Sequence, residues 1–516
     1  MRKTGFIIAV LAFGLAVSAS AAEKVRLVTD KDVYVAGDLI WCSASCFENG
    51  SLSNASAVAY VELVSSDGVA ATAKLALVSG RGSGVLVLPA SIPTGNYKIF
   101  AFTSLSESAE TRDIAIFNTV SGARVRRGVT ICDDILPAPA PMREIPGNVT
   151  VRTEELGDRT YITLRNDGSA DAVYSVSVYE DDGLRPASSK VGNIRLVPRD
   201  AESDGEIVRA LVYGRDAARV SSSPWLTAII SSPGSAADTY TGKIGPDGII
   251  TFKTNNIYGY RDLVCEILGL EEEKLECHFS PVSPFIHPDG LTFEPLRLSP
   301  KMREALVARN EALLSPAQMD TLYCFLPKRD NLLLSREDCI SYHLDDYTRF
   351  NTVEDIILEL IPNVAVRKAR GHKQIKMVLA DALSRKKTDN VLVLIDGVPV
   401  SEHERLLAYD AMALSDVYVY PFMYAMGKTV FSGVINFTTT RHDMSALQFD
   451  DNVRILDFQG CSYPVALGEI PSSAAKPAGR TLLWQPLVEI PAGGSVRFSI
   501  PAEKAPLVMK VTALEY

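Results

Sequence analysis

Three short constellations in this 516-residue chain carry side chains that could do chemistry. Cys277-His278 sets a thiol beside an imidazole, the pair a cysteine nucleophile needs. Glu402-His403-Glu404 flanks an imidazole with two carboxylates, and His343 with Asp345 and Asp346 offers nitrogen and hard oxygen donors for a cation. Local context argues against the first two. Neighbouring residues on a strand point to opposite faces, so Cys277 and His278 diverge. The Glu402–Glu404 tripeptide falls in a short helical or loop segment and reads as solvated surface. The six histidines, His278, His287, His343, His372, His403 and His442, are scattered. No HExxH, GxSxG, phosphate-binding glycine loop or kinase set occurs. The expectation is a chain that is not an enzyme, with no catalytic residue, no bound metal and no cofactor.

The eight cysteines, Cys42, Cys46, Cys132, Cys265, Cys277, Cys324, Cys339 and Cys461, form no CxxC pair, so a structural zinc site is not expected. An even count permits disulfides but allows about a hundred pairings. Cys42 and Cys46 lie roughly 13 Å apart if extended, beyond bridging distance. Mostly buried thiols are expected, with one or two bridges. Net charge is −10, which disfavours nucleic acid and anionic lipid as partners. The one basic cluster, Arg385-Lys386-Lys387, reads as a solvated turn.

Arg2-Lys3, the apolar run Phe6 to Val17 and the small-x-small pattern Ala19-Ser20-Ala21-Ala22 make residues 1–22 a secretory signal peptide. The mature chain is expected to begin at Ala22 or Glu23 and to leave the cytoplasm. No cysteine follows the cleavage site to carry a lipid anchor, and no other apolar run reaches the ~18 residues of a membrane span.

Behind these residues the chain reads as mainly β: tandem β-sandwich modules with one small α/β domain and no transmembrane barrel. Residues 23–122 alternate short strands with turns such as Asp67-Gly68 and Pro93-Thr94-Gly95. A Pro-rich linker fills 123–146. Two β-modules follow at 147–203 and 204–282, the second with a hairpin turn at Asp247-Gly248. Residues 283–340 form a helical connector, with helical spacing over Pro300 to Leu314 and Ser315 to Phe325. An α/β domain spans 341–445. There Thr352 and Asp355 form a capping box ahead of the helix Val353 to Ile361. The strands Val391 to Ile395 and Val434 to Phe437 are expected to be central and buried. Residues 446–516 form a separate closing β-element.

Several blocks resemble known families. Asp30-Lys31-Asp32-Val33-Tyr34, Gly37-Asp38 and Ile40-Trp41, then Pro93-Thr94-Gly95-Asn96-Tyr97, resemble the macroglobulin-type module of alpha-2-macroglobulins and of many Bacteroidota envelope proteins. Asp38 stands where that family mostly has Glu. Tyr34 and Trp41 are expected to be core aromatics. Glu206 to Tyr213 with Asp247 to Asn255 resembles a carboxypeptidase-regulatory-like β-domain. Phe350 to Asp355, Ile361 to Arg367, and Val391 to Thr440 with Ile395-Asp396-Gly397-Val398-Pro399 resemble the plug domain of TonB-dependent outer-membrane receptors. The match departs at Tyr424 to Gly433. Arg480 to Pro486 and Gly494 to Phe498 resemble the closing β-element of the same Bacteroidota proteins.

A receptor barrel needs roughly 220 residues beyond its plug, and 446–516 cannot supply them. The resemblance therefore implies an exported envelope protein, periplasmic or associated with the outer membrane or cell surface. It would act as an interaction or scaffold module, with another envelope protein as partner and a link to TonB-dependent transport. The alternative is a macroglobulin-like relative of protease inhibitors without the CGEQ thioester. The candidate docking group is Phe422, Met423, Tyr424, Met426 and Phe431, an apolar set expected to be exposed on a loop tip.

Overall fold

The computed structural model describes residues 22–119, 129–132, 143–186, 190–234, 238–270, 274–286, 288, 290–313, 322–324, 338–369, 371–380, 388, 390–426, 429–444, 447–449, 451–467, 479–503 and 505–514. The leader up to residue 21, the cluster Arg385-Lys386-Lys387 and His287 lie outside them. The fold is mainly β, built from several sheets. No helix among the described residues is long and apolar enough to cross a membrane.

The first module is a sandwich. One sheet joins Lys24–Thr29, Leu39–Glu48, Ser51–Leu52 and Arg81–Val87. The other runs Gly192–Arg195, Ser108–Phe117, Gly95–Phe102, Val58–Ser65, Gly68–Ala76, with Val33–Val35 parallel to Ser108–Phe117. Period-two alternation divides Val58–Ser65 cleanly. Ala59, Val61 and Leu63 face the inner core, and Val58, Tyr60 and Val64 face outward. That outer face is covered in turn by Phe285, Ile286, Leu291 and Phe293.

The Asp30–Trp41 block explains itself physically. Asp30 is fully buried and its carboxylate accepts from Tyr34 Oη (2.7 Å), the Trp41 backbone N–H (3.1 Å) and Thr481 Oγ1. Burial raises its pKa although Lys31 stands beside it. Lys31 Nζ lies 3.5 Å from Asp38 and donates to Gly479 O, while Gly37 supplies the left-handed turn at φ 90°. Tyr34 sits in the inner core, as expected. Trp41 is buried too, but between modules: it packs with Val28, Val173, Trp484 and Leu514.

Val173, Trp484 and Leu514 belong to a second sandwich. Its sheets are Arg143–Glu144, Leu507–Ala513, Ala172–Glu180, Thr481–Ile490 and, opposite, Val149–Leu156, Arg159–Asn166, Ser495–Pro501. The sequence division into a module at 147–203 and a closing element at 446–516 therefore separates strands that hydrogen-bond in the same sheets. The linker is part of the fold as well. Val129–Ile131 pairs with Leu296–Leu298, and Arg143–Glu144 pairs with Met509–Lys510.

A third module is one curled sheet of seven strands in the order His278–Pro281, Ile207–Tyr213, Ile249–Lys253, Asp238–Ile244, Thr227–Ser232, Tyr260–Leu268, Arg454–Gln459. Its core holds Val208, Ile230, Phe252, Leu263 and Phe279. In the connector, Pro300–Met302 leads into the helix Arg303–Leu313. Of the expected second helix, Ser315 to Phe325, only Leu322–Cys324 lies within the described residues, and it is a strand paired with Val465–Leu467.

Candidate docking site on the long hairpin

The α/β module places the candidate residues. Its sheet runs Ile340–His343, Leu414–Met426, Thr429–Thr439, Leu392–Ile395, Val398–Pro399, backed by the helix Val353–Leu360 and the hairpin Val364–Ala369 with His372–Met377. The helix starts on the expected capping box: Asp355 N donates to Thr352 Oγ1 (3.2 Å) and Thr352 N to Asp355 Oδ2 (3.0 Å). Leu392 to Ile395 lies parallel to Val434 to Phe437, and both are buried, as their apolar runs predict.

The Asp396-Gly397 pair turns with φ of 47° and 78°, the left-handed pair of a tight hairpin. The buried Asp396 carboxylate accepts from Thr439 N (2.8 Å), Thr439 Oγ1 (2.7 Å) and Met444 N (2.8 Å). Gly397 N donates to Asn436 Oδ1 (3.0 Å). The Asp-Gly and Thr-Thr signatures are thus two halves of one buried lock, which fixes the root of the long hairpin.

The hairpin itself pairs Leu414–Met426 with Thr429–Thr439, with an irregularity between Tyr420 and Met423. Gly433 is required there. At φ 95°, a Cβ would come 2.2 Å from Met377 Sδ. Beyond the irregularity, Met423 stands opposite Ser432, Tyr424 opposite Phe431, and Ala425 opposite Val430. Alternation then sorts the tip into two faces. Phe431 is buried with Leu392, Leu394, Tyr420 and Val434, and Phe422, Tyr424 and Met426 are half-buried against the same cluster beside Leu268 of the seven-stranded sheet. Met423 (51% exposed), Ala425 and Val430 (49%) face outward. The expectation of one exposed five-residue cluster is corrected: of the five, only Met423 is exposed. A strand hairpin, unlike a loop tip, sends alternate side chains inward. Val430, between Thr429 and Phe431, was missed because a single valine gives no sign of which way it faces until its cross-strand neighbour is known.

The remaining candidates do not converge. Cys277 Sγ is buried and donates to Tyr213 O (3.3 Å), and burial raises its pKa. His278 turns away to Arg454 and Asn452. Glu402 pairs with Arg405 (2.8 Å), and Glu404 accepts from Lys373 N (2.9 Å). His403 is half-buried rather than solvated: its Nδ1 accepts from Ile375 N (3.0 Å), and desolvation lowers its pKa to about 4. His343 contacts Asp416 at 2.5 Å, while Asp345 pairs with Arg349. Among the described residues, no three His, Cys, Asp or Glu side chains gather to hold a metal. Cys42, Cys46, Cys132, Cys265, Cys277, Cys339 and Cys461 are free thiols, where one or two bridges were expected. Cys42 and Cys46 instead lie in the inner core of the first sandwich.

No protein-family model matches the chain, and no curated protein matches its sequence. Among solved structures it is similar to trypsin-activated alpha-2-macroglobulin from Escherichia coli, at 9% identity and TM-score 0.23, over 96% of this chain and 41% of that one. A mutant alpha-2-macroglobulin from Salmonella gives 9% identity and TM-score 0.20, over 96% of this chain and 38% of that one. The Escherichia coli adhesin FdeC gives 13% identity and TM-score 0.15, over 49% of this chain and 61% of that one. The chain spans less than half the length of either macroglobulin.

Proposed function

We propose that this protein is a non-enzymatic, exported module of the bacterial cell envelope that docks another envelope protein through the outward face of its long hairpin. The observation that carries the reading is the split of the tip. One face anchors the hairpin to the sheet through Phe431, and the other presents Met423, Ala425 and Val430 to solvent on a rigid support. Exposed Met and aliphatic side chains on a fixed element suit protein contact, because little conformational entropy is lost on binding. The resemblance of Val391 to Thr440 to receptor plugs supports a partner in outer-membrane transport.

A photo-crosslinking residue placed at Met423 tests this in intact envelopes, with the same residue at Val197, 85% exposed, as control. The expected result is one discrete outer-membrane species crosslinked from Met423 and not from Val197, lost in Val430→Asp without a change in melting temperature. Identical crosslinking from both positions would overturn the reading.

A further inference from the structure

A second surface lies where the seven-stranded sheet meets the hairpin. It is a cleft of about 740 Å³, within the roughly 300–1,000 Å³ range typical of small-ligand sites. Its floor is the outer face of the strands Asp238–Ile244 and Ile249–Lys253, and Ala425 and Met426 close one side. The facing of the floor follows from Gly242. A Cβ on that residue would come 2.5 Å from Ile250 and Phe252, so Gly242 faces the core and its neighbours Thr241 and Lys243 face the cleft. Lys243 stands opposite Thr251, and the same register carried one step further sets Thr241 beside Lys253. The result is a checkerboard of two ammonium groups and two hydroxyls.

The polar groups are available. Lys243 and Lys253 have no ion-pair partner, and Thr241 and Thr251 no side-chain hydrogen bond, among the described residues. Among the described residues, none that lines the cleft is acidic. Trp225 is not itself a lining residue, but it joins the lining residues Pro224 and Leu226 in the chain and is 64% exposed. The strand Asp238–Ile244 is paired on both sides, so its backbone offers no free edge to an extended peptide.

From this placement we infer that the cleft binds an anionic oligosaccharide. Lys243 and Lys253 would hold its acidic groups and Thr241 and Thr251 its hydroxyls, and the exposed Trp225 ring, just outside the lining, would stack on a sugar unit that runs on past Pro224 and Leu226. The cleft meets the hairpin's docking face at Ala425, which belongs to both, but Met423 and Val430, the positions that test that face, do not line it. A negative result here leaves that reading standing.

The test uses the intact protein and its own fluorescence. Of the three tryptophans, Trp41 and Trp484 are buried, so quenching by acrylamide reports Trp225. The probes are tetragalacturonate and a sulfated heparin tetrasaccharide as two anionic sources, with neutral galactotetraose and hexaglutamate as contrasts. Protection by either anionic sugar and by neither contrast is expected, with the responding sugar naming the acid group. In the variant carrying both Lys243→Glu and Lys253→Glu, losing two charge-assisted contacts should weaken that binding by about tenfold or more. Both lysines are exposed, so melting should be unchanged. Protection by neither sugar, equal protection by hexaglutamate, or unweakened binding by the double variant would each overturn the inference.

Discussion

Trp41→Ala tests whether the two sandwiches are one folding unit. Trp41 is 6% exposed and Trp484 1%. They share a cluster with Val28 and Val85 of the first sandwich and Val173 and Leu514 of the second. Truncating a buried Trp costs about 3–5 kcal/mol, the lost transfer energy plus the cavity left behind. Because the two rings share one cluster, the second truncation removes less than the first. A cycle of Trp41→Ala, Trp484→Ala and the double variant should therefore show a coupling of about 1–3 kcal/mol. The backbone bond from Trp41 N to Asp30 survives truncation, so the cycle isolates the packing.

The assay is urea unfolding of the full chain followed by circular dichroism, because removing tryptophan alters fluorescence. Each single variant should lower the transition of the two sandwiches together. Losses that add to within about 0.5 kcal/mol would refute the reasoning, since residues without shared partners behave that way. Two separate transitions, only one of them shifted by Trp41→Ala, would refute it equally.

Two further outcomes follow from single residues. N-terminal sequencing of native protein should begin at Ala22 or Glu23, with the protein outside the cytoplasm; intact Met1 in a soluble cytoplasmic fraction would rule out the leader reading. Glu62 is fully buried beneath Ile286, and burial pushes its pKa from 4.5 to about 7. The folded state thus favours the protonated acid, and its stabilising contribution, complete below pH 4.5, is lost as pH rises through 7. Glu62→Gln should therefore be more stable than wild type at pH 8 by up to roughly 3 kcal/mol, with the gap closing below pH 4.5. A gap independent of pH in melting scans would refute this.

Local chemistry was legible in the sequence; long-range pairing was not. Alternation and turn glycines marked the strands of the first sandwich, and Thr352 with Asp355 announced a helix start that forms as read. The strand Asp238–Ile244 escaped because it is half-buried and carries Thr, Tyr and Lys where a buried strand shows aliphatics. Nothing local in Thr481–Ile490 says that its partner lies some three hundred residues earlier at Ala172–Glu180. The docking group was half legible: its residue types stood out, but which of them face solvent depends on the cross-strand register of the hairpin, which no single strand encodes.

That long-range pairing gives the molecule its character. The last described stretch visits the modules in turn. Arg454–Gln459 completes the seven-stranded sheet. Gln459 and Ser462 then bond to Thr72, Lys74 and Val85 of the first sandwich, and Thr481–Ala513 closes the second. The charges buried at these junctions act in the same sense. Lys74 meets Glu206 at 2.6 Å with both side chains 2% exposed, beneath the ring of Phe458. Arg309 holds Asp182 and also donates to Val33 O. Such pairs add little net stability, because desolvation offsets their attraction, yet removing one partner leaves a buried charge and costs about 3–5 kcal/mol. They therefore penalise every arrangement except the one in which the modules meet in register. A chain stitched this way holds its hairpin face and the adjoining cleft in one fixed geometry, which is what the proposed docking role requires.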